Sequence, residues 1–312
     1  MFIGESSPRP VPAARNLISL DELVSLRFWP PARGQKRERM AIREGHHLSN
    51  VRARGMEYDD VREYQPGDDI RHLDWRLMAR TGEAHTKLFR EERERPVFVI
   101  TDLRASMHFA TQGHFKSVLA AYASAMVIWT TLSTGDRVGG QVLTSTATNL
   151  FKPSNNRQQA MQMIASLSDS FDHNAEASSS SVDAGSLADK LIEVEASLSS
   201  GTILYLFSDF HDADPLLEQH LMRLSQRCEL KLVLISDPLE SQLPMGNLYC
   251  FTGDGRELMV DADQNQQIRY RSEFQKRITL LEQLHNIRGV EFAHWQSHAH
   301  PLFSQPGADD GF

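Results

Sequence analysis

Pro96-Val97-Phe98-Val99-Ile100-Thr101-Asp102-Leu103-Arg104-Ala105-Ser106 is the stretch that decides the fold. Val97 to Ile100 is an unbroken apolar run, the pattern of a strand buried on both faces rather than one with a wet side. Two further runs repeat it: Thr202 to Phe207, ending in Ser208-Asp209, and Leu230 to Ile235, ending in Ser236-Asp237-Pro238. Between them lie helical patterns at about Phe115–Leu132, Arg157–Leu167, Leu187–Leu198 and Pro215–Gln226, with a strand at Val138–Leu143 and a short one at Leu150–Lys152. Strands alternating with helices over about 200 residues predict an α/β domain, its mostly parallel sheet covered on both faces through right-handed crossovers.

Outward from that core the signals weaken. Leu248–Phe251 and Glu257–Val260 read as an antiparallel hairpin across Thr252-Gly253-Asp254-Gly255-Arg256. A long helix follows from about Gln266 to Ile287, Gly289 ends it, and Val290–Ala293 closes the domain as a strand. Upstream, Leu20–Phe28 predicts a short helix capped by Ser19 and stopped by Pro30-Pro31. Residues 46–65 alternate in a way suited to a hairpin, and Thr86–Phe89 reads as extended. The expected organisation is a flexible basic segment over 1–45, a charged segment over 46–95 packing on the main domain, the main domain over 96–303, and a disordered tail over 304–312.

Composition excludes several function classes. The net charge of −8 argues against nucleic acid as the main partner, because phosphate binding needs clustered Lys and Arg. The one basic stretch, Arg27 to Arg54, reads as a solvated or partner-facing surface, with an anionic lipid or RNA contact as the sharper alternative. Cys228 and Cys250 are far apart and in no metal-like spacing, which fits a reducing cytoplasm. No apolar run reaches the length of a membrane span, so membrane contact is expected to be peripheral if it occurs. There is no phosphate loop and no Gly-x-Gly-x-x-Gly after a strand, which makes nucleotide binding by this chain improbable.

Tyr64-Gln65-Pro66-Gly67-Asp68-Asp69-Ile70-Arg71-His72-Leu73-Asp74-Trp75-Arg76 is the densest cluster of charge in the chain. Paired acids serve acid–base and two-metal chemistry, but here nearly every Asp has an Arg within a few residues. A self-satisfied ion-pair network is the more economical reading, with Gly67, Asp68, Asp69, Arg71, Asp74, Trp75 and Arg80 as a structural or partner-binding motif. In that reading Trp75 is an apolar anchor whose indole N–H reaches a carbonyl. The stretch resembles the signature of the bacterial family called domain of unknown function fifty-eight. The match continues through Met78-Ala79-Arg80-Thr81-Gly82, Lys87-Leu88-Phe89 and Glu91 to Arg95, and covers roughly residues 45–300. Many members of that family begin with membrane-spanning helices; this chain departs from them and is expected to be a soluble version.

The resemblance implies a von Willebrand factor A-like domain and partnership with a MoxR-type AAA+ ATPase and other von Willebrand factor A proteins. Asp102 and Asp209 at two strand ends are similar to the metal-ion-dependent adhesion site of such domains, which takes Asp-x-Ser-x-Ser from one loop, a Thr from a second and an Asp from a third. Oxygen-only ligands of that kind suit Mg²⁺. Asp102, Ser106 and Asp209 match the pattern; Ser180, Ser181 or Asp183 is the candidate for the Thr position. Arg104 stands where the first Ser belongs, and it either plugs the site by pairing with an aspartate or points away and leaves room for the cation.

Other constellations carry less. His294, His298 and His300, or His211 beside Asp209 and Asp212, lack the spacing of a transition-metal site and read as ordinary histidines. Ser106 has no Gly-x-Ser-x-Gly around it to mark a nucleophile, and Met161–Met163 reads as helix core. The expected function is therefore a non-enzymatic adaptor or scaffold in maturation of protein complexes; the alternative is a metal-dependent hydrolase at the same strand ends.

Overall fold

The computed structural model describes residues 16–28, 56–65, 68–91, 95–145, 147–174, 185–241, 248–253, 256–261 and 264–298. The chain divides into two compact units, one of Met1–Pro31 with Arg95–Phe312 and the other of Ala32–Glu94. The tail from 304, the basic residues from Arg33 to Arg54, Gly67, Ser180, Ser181, Asp183 and His300 lie outside the described residues.

In chain order the elements are α1 (Leu20–Ser25), β1 (Met56–Glu63), α2 (Trp75–Thr81), β2 (His85–Glu91), β3 (Val97–Leu103), α3 (Lys116–Ser133), β4 (Val138–Thr144), β5 (Thr148–Ser154), α4 (Arg157–Asn174) and α5 (Leu187–Glu195). They continue with β6 (Ile203–Ser208), α6 (Pro215–Ser225), β7 (Glu229–Ser236), α7 (Pro238–Ser241), β8 (Leu248–Gly253), β9 (Arg256–Asp261), α8 (Gln264–His285) and β10 (Val290–Gln296).

Six strands form the main sheet in the order β10-β7-β6-β3-β4-β5. All neighbours are parallel except β4 and β5, which form an antiparallel hairpin at one edge. This is the expected mixed α/β architecture, consistent with a Rossmann-like fold of the von Willebrand factor A type.

Alternation along the strands builds two cores. Val97 and Val99 of β3 face α1, α3 and α4, whereas Phe98 and Ile100 face α5, α6 and α8. Both faces are dry, which is why the sequence shows runs rather than alternation. Burying one such side chain contributes about 1.5–3 kcal/mol, and Ile100→Ala leaves a cavity costing about 2–5 kcal/mol. The predicted helix at Arg157–Leu167 runs on to Asn174, because Ile164, Leu167 and Phe171 continue one buried stripe. Met163 is 2% exposed in that stripe. Short α1 is held by a capping box between Ser19 and Glu22 and by Leu23 and Leu26 in the core. Trp129 Nε1 donates to the Leu23 carbonyl at 2.9 Å, fixing α1 on α3.

Chain direction sets the place of the site. From β3 the chain moves to β4 and β5 on one side, then returns to β6 on the other and continues to β7. The strand order therefore reverses between β3 and β6, and open sheets bind ligands at the carboxyl ends beside such a switch point.

In the second unit β1 pairs antiparallel with β2, from Met56 opposite Glu91 to Glu63 opposite His85. The first part of the hairpin expected within residues 46–65 lies outside the described residues, and β1, from its second part, enters a pairing across the charged signature. Its closed ends explain this: Tyr64 N donates to Ala84 O at 2.9 Å and Asp74 N to His85 O at 2.8 Å, so the signature is the connection between the two strands.

Candidate functional site at the strand ends

Asp102, Asp209 and Asp237 sit at or just after the carboxyl ends of the neighbouring strands β3, β6 and β7, and all three are almost fully buried. An isolated buried carboxylate is costly unless compensated. Each of these is compensated by this chain.

Arg104 takes Asp102. Its Nε donates to Asp102 Oδ1 at 2.9 Å and its Nη2 to Oδ2 at 2.8 Å, a two-pronged pair. The same guanidinium grips Asp212 through Nη1 at 2.6 Å and Nη2 at 3.1 Å, and its backbone N–H adds a third donor to Asp102 at 3.1 Å. Ser208 Oγ donates to Asp102 Oδ2 at 2.6 Å. Burial opposes the guanidinium's charge, but Asp102 and Asp212 outweigh it and hold Arg104 protonated beyond its ordinary range. Burial likewise lifts Asp212 while Arg104 brings it below the usual carboxylate range. Asp212 also accepts from Leu187 N at 2.9 Å, tying the loop after β6 to the start of α5.

Lys116 takes Asp209. Placed in the first turn of α3 and only 2% exposed, it donates from Nζ to Asp209 Oδ2 at 2.8 Å and also to Glu240 of α7. Burial alone would raise Asp209, but the ammonium and His211 hold it far below its ordinary value. Glu240 goes the other way: burial, then repulsion from Asp209, leaves it above the usual range despite Lys116. Asp209 is therefore the committed anion of the pair. Arg277 of α8 closes the cluster, donating to the Asp209 carbonyl at 2.9 Å and to Glu240 Oε2 at 3.4 Å.

The loop after β6 is strained to make this geometry. Phe210 holds φ at 48°, a left-handed conformation that costs a residue with a side chain about 1–2 kcal/mol. Its ring is fully buried, and its N–H bonds Ser208 Oγ at 3.0 Å. The turn points His211 outward, 42% exposed, with Nδ1 at 3.1 Å from Asp209 Oδ1. The hydrogen bond to Asp209 raises His211 against the opposing effect of burial. Three fixed cations (Arg104, Lys116, Arg277) face four carboxylates (Asp102, Asp209, Asp212, Glu240), and a protonated His211 makes the balance even.

Asp237 is satisfied without a cation. It accepts from Thr111 N at 2.8 Å, Thr111 Oγ1 at 2.5 Å, Ser297 Oγ at 2.8 Å and Leu239 N at 3.0 Å. These donors, Thr111 first, hold it below its usual range against burial. Gly113 makes the stitching possible: at φ 72° a Cβ there would lie 2.1 Å from the Ser297 carbonyl oxygen.

The expected Mg²⁺ ligands are thus brought together only in part. Asp102 and Asp209 share one end of the sheet, but Arg104 spans both oxygens of the first and Lys116 holds an oxygen of the second. Ser106 Oγ is 3.1 Å from His211 Nδ1. As arranged, the donor set does not fit a divalent cation, since its carboxylate oxygens already face ammonium and guanidinium groups. Among the described residues, no group of three or more His, Cys, Asp or Glu side chains is placed to hold a metal ion. Nor do Ser106, His211 and Asp209 form a proton relay, because Ser106 and Asp209 approach the same ring nitrogen, where a relay uses opposite ones. His294 bonds Ser236 Oγ at 2.7 Å and His298 is exposed.

Sequence reading missed Lys116, Glu240 and Arg277, and took Asp212 only as a neighbour of His211. A lone lysine opening an otherwise apolar helix was a usable signal for the first; the others lie far along the chain with no local mark.

In the second unit the signature carboxylates serve the backbone. Asp69 accepts from Arg71 N at 3.0 Å, and Asp74 caps α2 by accepting from Arg76 N and Leu77 N, both at 3.0 Å. Gly82 ends the helix at φ 79°, a conformation suited to glycine. Asp68 pairs with a guanidinium: Arg62 Nη2 lies 2.7 Å away, beside Gln65 N and Thr86 Oγ1. The Gln65 amide first, then Arg62, hold Asp68 below its ordinary value. Of the expected ion-pair network the described residues show the Arg62–Asp68 pair, and Asp69 and Asp74 also cap backbone amides. Trp75 is not an anchor: standing at the first position of α2, it is 59% exposed, while Leu77 and Met78 are half-buried.

Comparison with known proteins agrees with the sequence motif. An uncharacterized protein of Mycobacterium bovis, Mb1516, and one of Mycobacterium tuberculosis, Rv1480, are each 30% identical over 126 residues, covering 40% of this chain. The match spans 40% of the length of those relatives. The model of the family described as Protein of unknown function DUF58 matches residues 60–282, well over half of the 312 residues. This chain belongs to that family.

Proposed function

We propose that the chain is a non-enzymatic adaptor, working with a MoxR-type AAA+ ATPase and other von Willebrand factor A proteins in the maturation or assembly of protein complexes. The observation that supports this reading is the compensation of every strand-end carboxylate by a side chain or amide of the same chain. Catalysis needs an acid, base or metal position left open to substrate. Here the charges are spent on holding three loops in fixed register, which suits a preformed docking face. The named partners come from the family resemblance. In this proposal Arg104 and Lys116 stand where an adhesion site has its cation, so docking is independent of Mg²⁺.

A protein partner rather than a nucleic acid accords with the net charge of −8. Residence in the reducing cytoplasm belongs to the same proposal, and the free, buried thiol of Cys228 is compatible with it. Among the described residues, no helix is long and apolar enough to cross a membrane.

The test is affinity capture of the tagged full chain from its own lysate, with Mg²⁺ and with chelator, read by mass spectrometry. Recovery of an AAA+ ATPase under both conditions is expected. Because the ATPase holds nucleotide-bound Mg²⁺ of its own, Arg104→Ser is run alongside to report on the strand-end face. Turnover of a phosphoester or peptide that depends on Asp102 or Asp209 would replace the adaptor with the hydrolase.

A further inference from the structure

The 3-10 turn Ile70–His72 and helix α2 present a face that the described residues leave exposed. Ile70 is 60% exposed and Trp75 59% exposed, and Arg71, Arg76 and Arg80 are exposed around them. Arg76 and Arg80 are one helical turn apart, so they project from one side of α2 next to Trp75 and Ala79. Among the described residues none of these three arginines forms an ion pair. The neighbouring Asp69 and Asp74 accept backbone amides of the same segment.

The face is rigidly supported. Asp74 and Gly82 cap α2 at its two ends, Asp74 N bonds His85 O, and Leu73 bridges Thr86 on β2. Exposed Trp and Arg on a fixed backbone are the side chains that dominate protein interfaces, because they offer large contact area and forked donors at little ordering cost.

We infer that this face is a docking site for an acidic protein segment carrying an apolar anchor residue. Charge complementarity selects the occupant: three unpaired guanidiniums call for carboxylates, and Trp75 with Ile70 calls for an aromatic or aliphatic side chain between them. The inference rests on the adaptor reading in taking a protein as the partner, but it concerns a different unit from the strand-end face.

The test is selection of a random-peptide phage library on the immobilised full chain, followed by fluorescence anisotropy with the recovered peptides. The expected peptides are net negative with an aromatic or aliphatic residue, and they bind less tightly as salt is raised. Trp75→Ala is expected to weaken them about thirtyfold, the scale of an interface hot spot. Arg80→Glu is expected to weaken them about tenfold or more. Ile268→Ala, on an exposed position of α8, leaves binding unchanged, and peptide binding that persists where no AAA+ ATPase is captured separates failure of the adaptor reading from failure here. Thermal unfolding of each variant checks that the fold survives.

Neutral or basic peptides, or binding that survives Trp75→Ala with Arg80→Glu, would overturn the inference. Competition by RNA or by phosphatidylserine vesicles would also overturn it, in favour of a phosphate ligand. Trp75-dependent association in sedimentation velocity would overturn it in favour of a second copy of the chain.

Discussion

Aspartate and arginine are concentrated in two places in this protein, and they do opposite things there. At the strand ends, Asp102 and Asp209 are buried and each meets a cation directly. In the signature, Asp69 and Asp74 accept backbone amides while Arg71, Arg76 and Arg80 face water. Burial makes the difference. A carboxylate taken out of water demands a cation or, as at Asp237, a full set of donors, whereas one nearer water can serve to cap a helix. Density of charge in a sequence therefore does not mark a reactive site; the environment decides what the charge is for.

Breaking a charge pair at the buried end should be far more damaging than anything done at the exposed one. Lys116→Met removes the ammonium shared by Asp209 and Glu240, leaving only partly exposed His211 and the longer Arg277 contact beside them, and a loss of about 3 kcal/mol or more is expected in equilibrium denaturation. Adding Asp209→Asn should recover part of that loss, because the two residues share one network. No recovery would mean that Lys116 matters for packing alone. Arg104→Ser is expected to cost about 3 kcal/mol, at the low end of the same range because Asp212 is 22% exposed and regains water.

Effects should shrink toward the exposed region. Asp74→Ala removes the α2 cap and is expected to cost about 1 kcal/mol, with no change in the strand-end variants' behaviour. A cost as large as that of Lys116→Met would erase the contrast between the regions.

The smallest expected effect is a pH dependence. His211 gains Asp209 on folding, so its contribution is complete below the ordinary histidine pKa of about 6.5. It is lost as pH rises through the raised folded value. With 42% of its side chain exposed, the amount is below about 1 kcal/mol. His211→Ala should therefore differ from the parent more at acid pH than at alkaline pH in urea titrations. The reverse order would remove His211 from the charge balance.

Much of the fold was legible because runs such as Val97–Ile100 and Leu230–Ile235 admit only a strand dry on both faces. The pairing of β1 was not: alternation marks a strand but says nothing about its partner, and β2 lies across the whole signature. At the site, Asp102 and Asp209 were visible from strand-end position, and Arg104 stood out only against the adhesion-site pattern that the resemblance supplied. The pairing of Lys116 with Asp209, or of Arg277 with Glu240, joins elements far apart in the chain, so it waits for the fold. Trp75 was misread for a related reason. Aromatic character suggests burial, but the helix phase that turns it outward depends on where Asp74 starts α2.

In the proposed docking face Arg104 and Lys116 supply the charge that a bound cation would bring. The most direct measurement is Mg²⁺ titration of the parent chain and Arg104→Ser, by calorimetry and by thermal midpoint. The parent is expected to show no Mg²⁺-dependent stabilisation, and Arg104→Ser to gain some. Stabilisation of the parent by Mg²⁺ that disappears in Asp102→Asn or Asp209→Asn would contradict the claim.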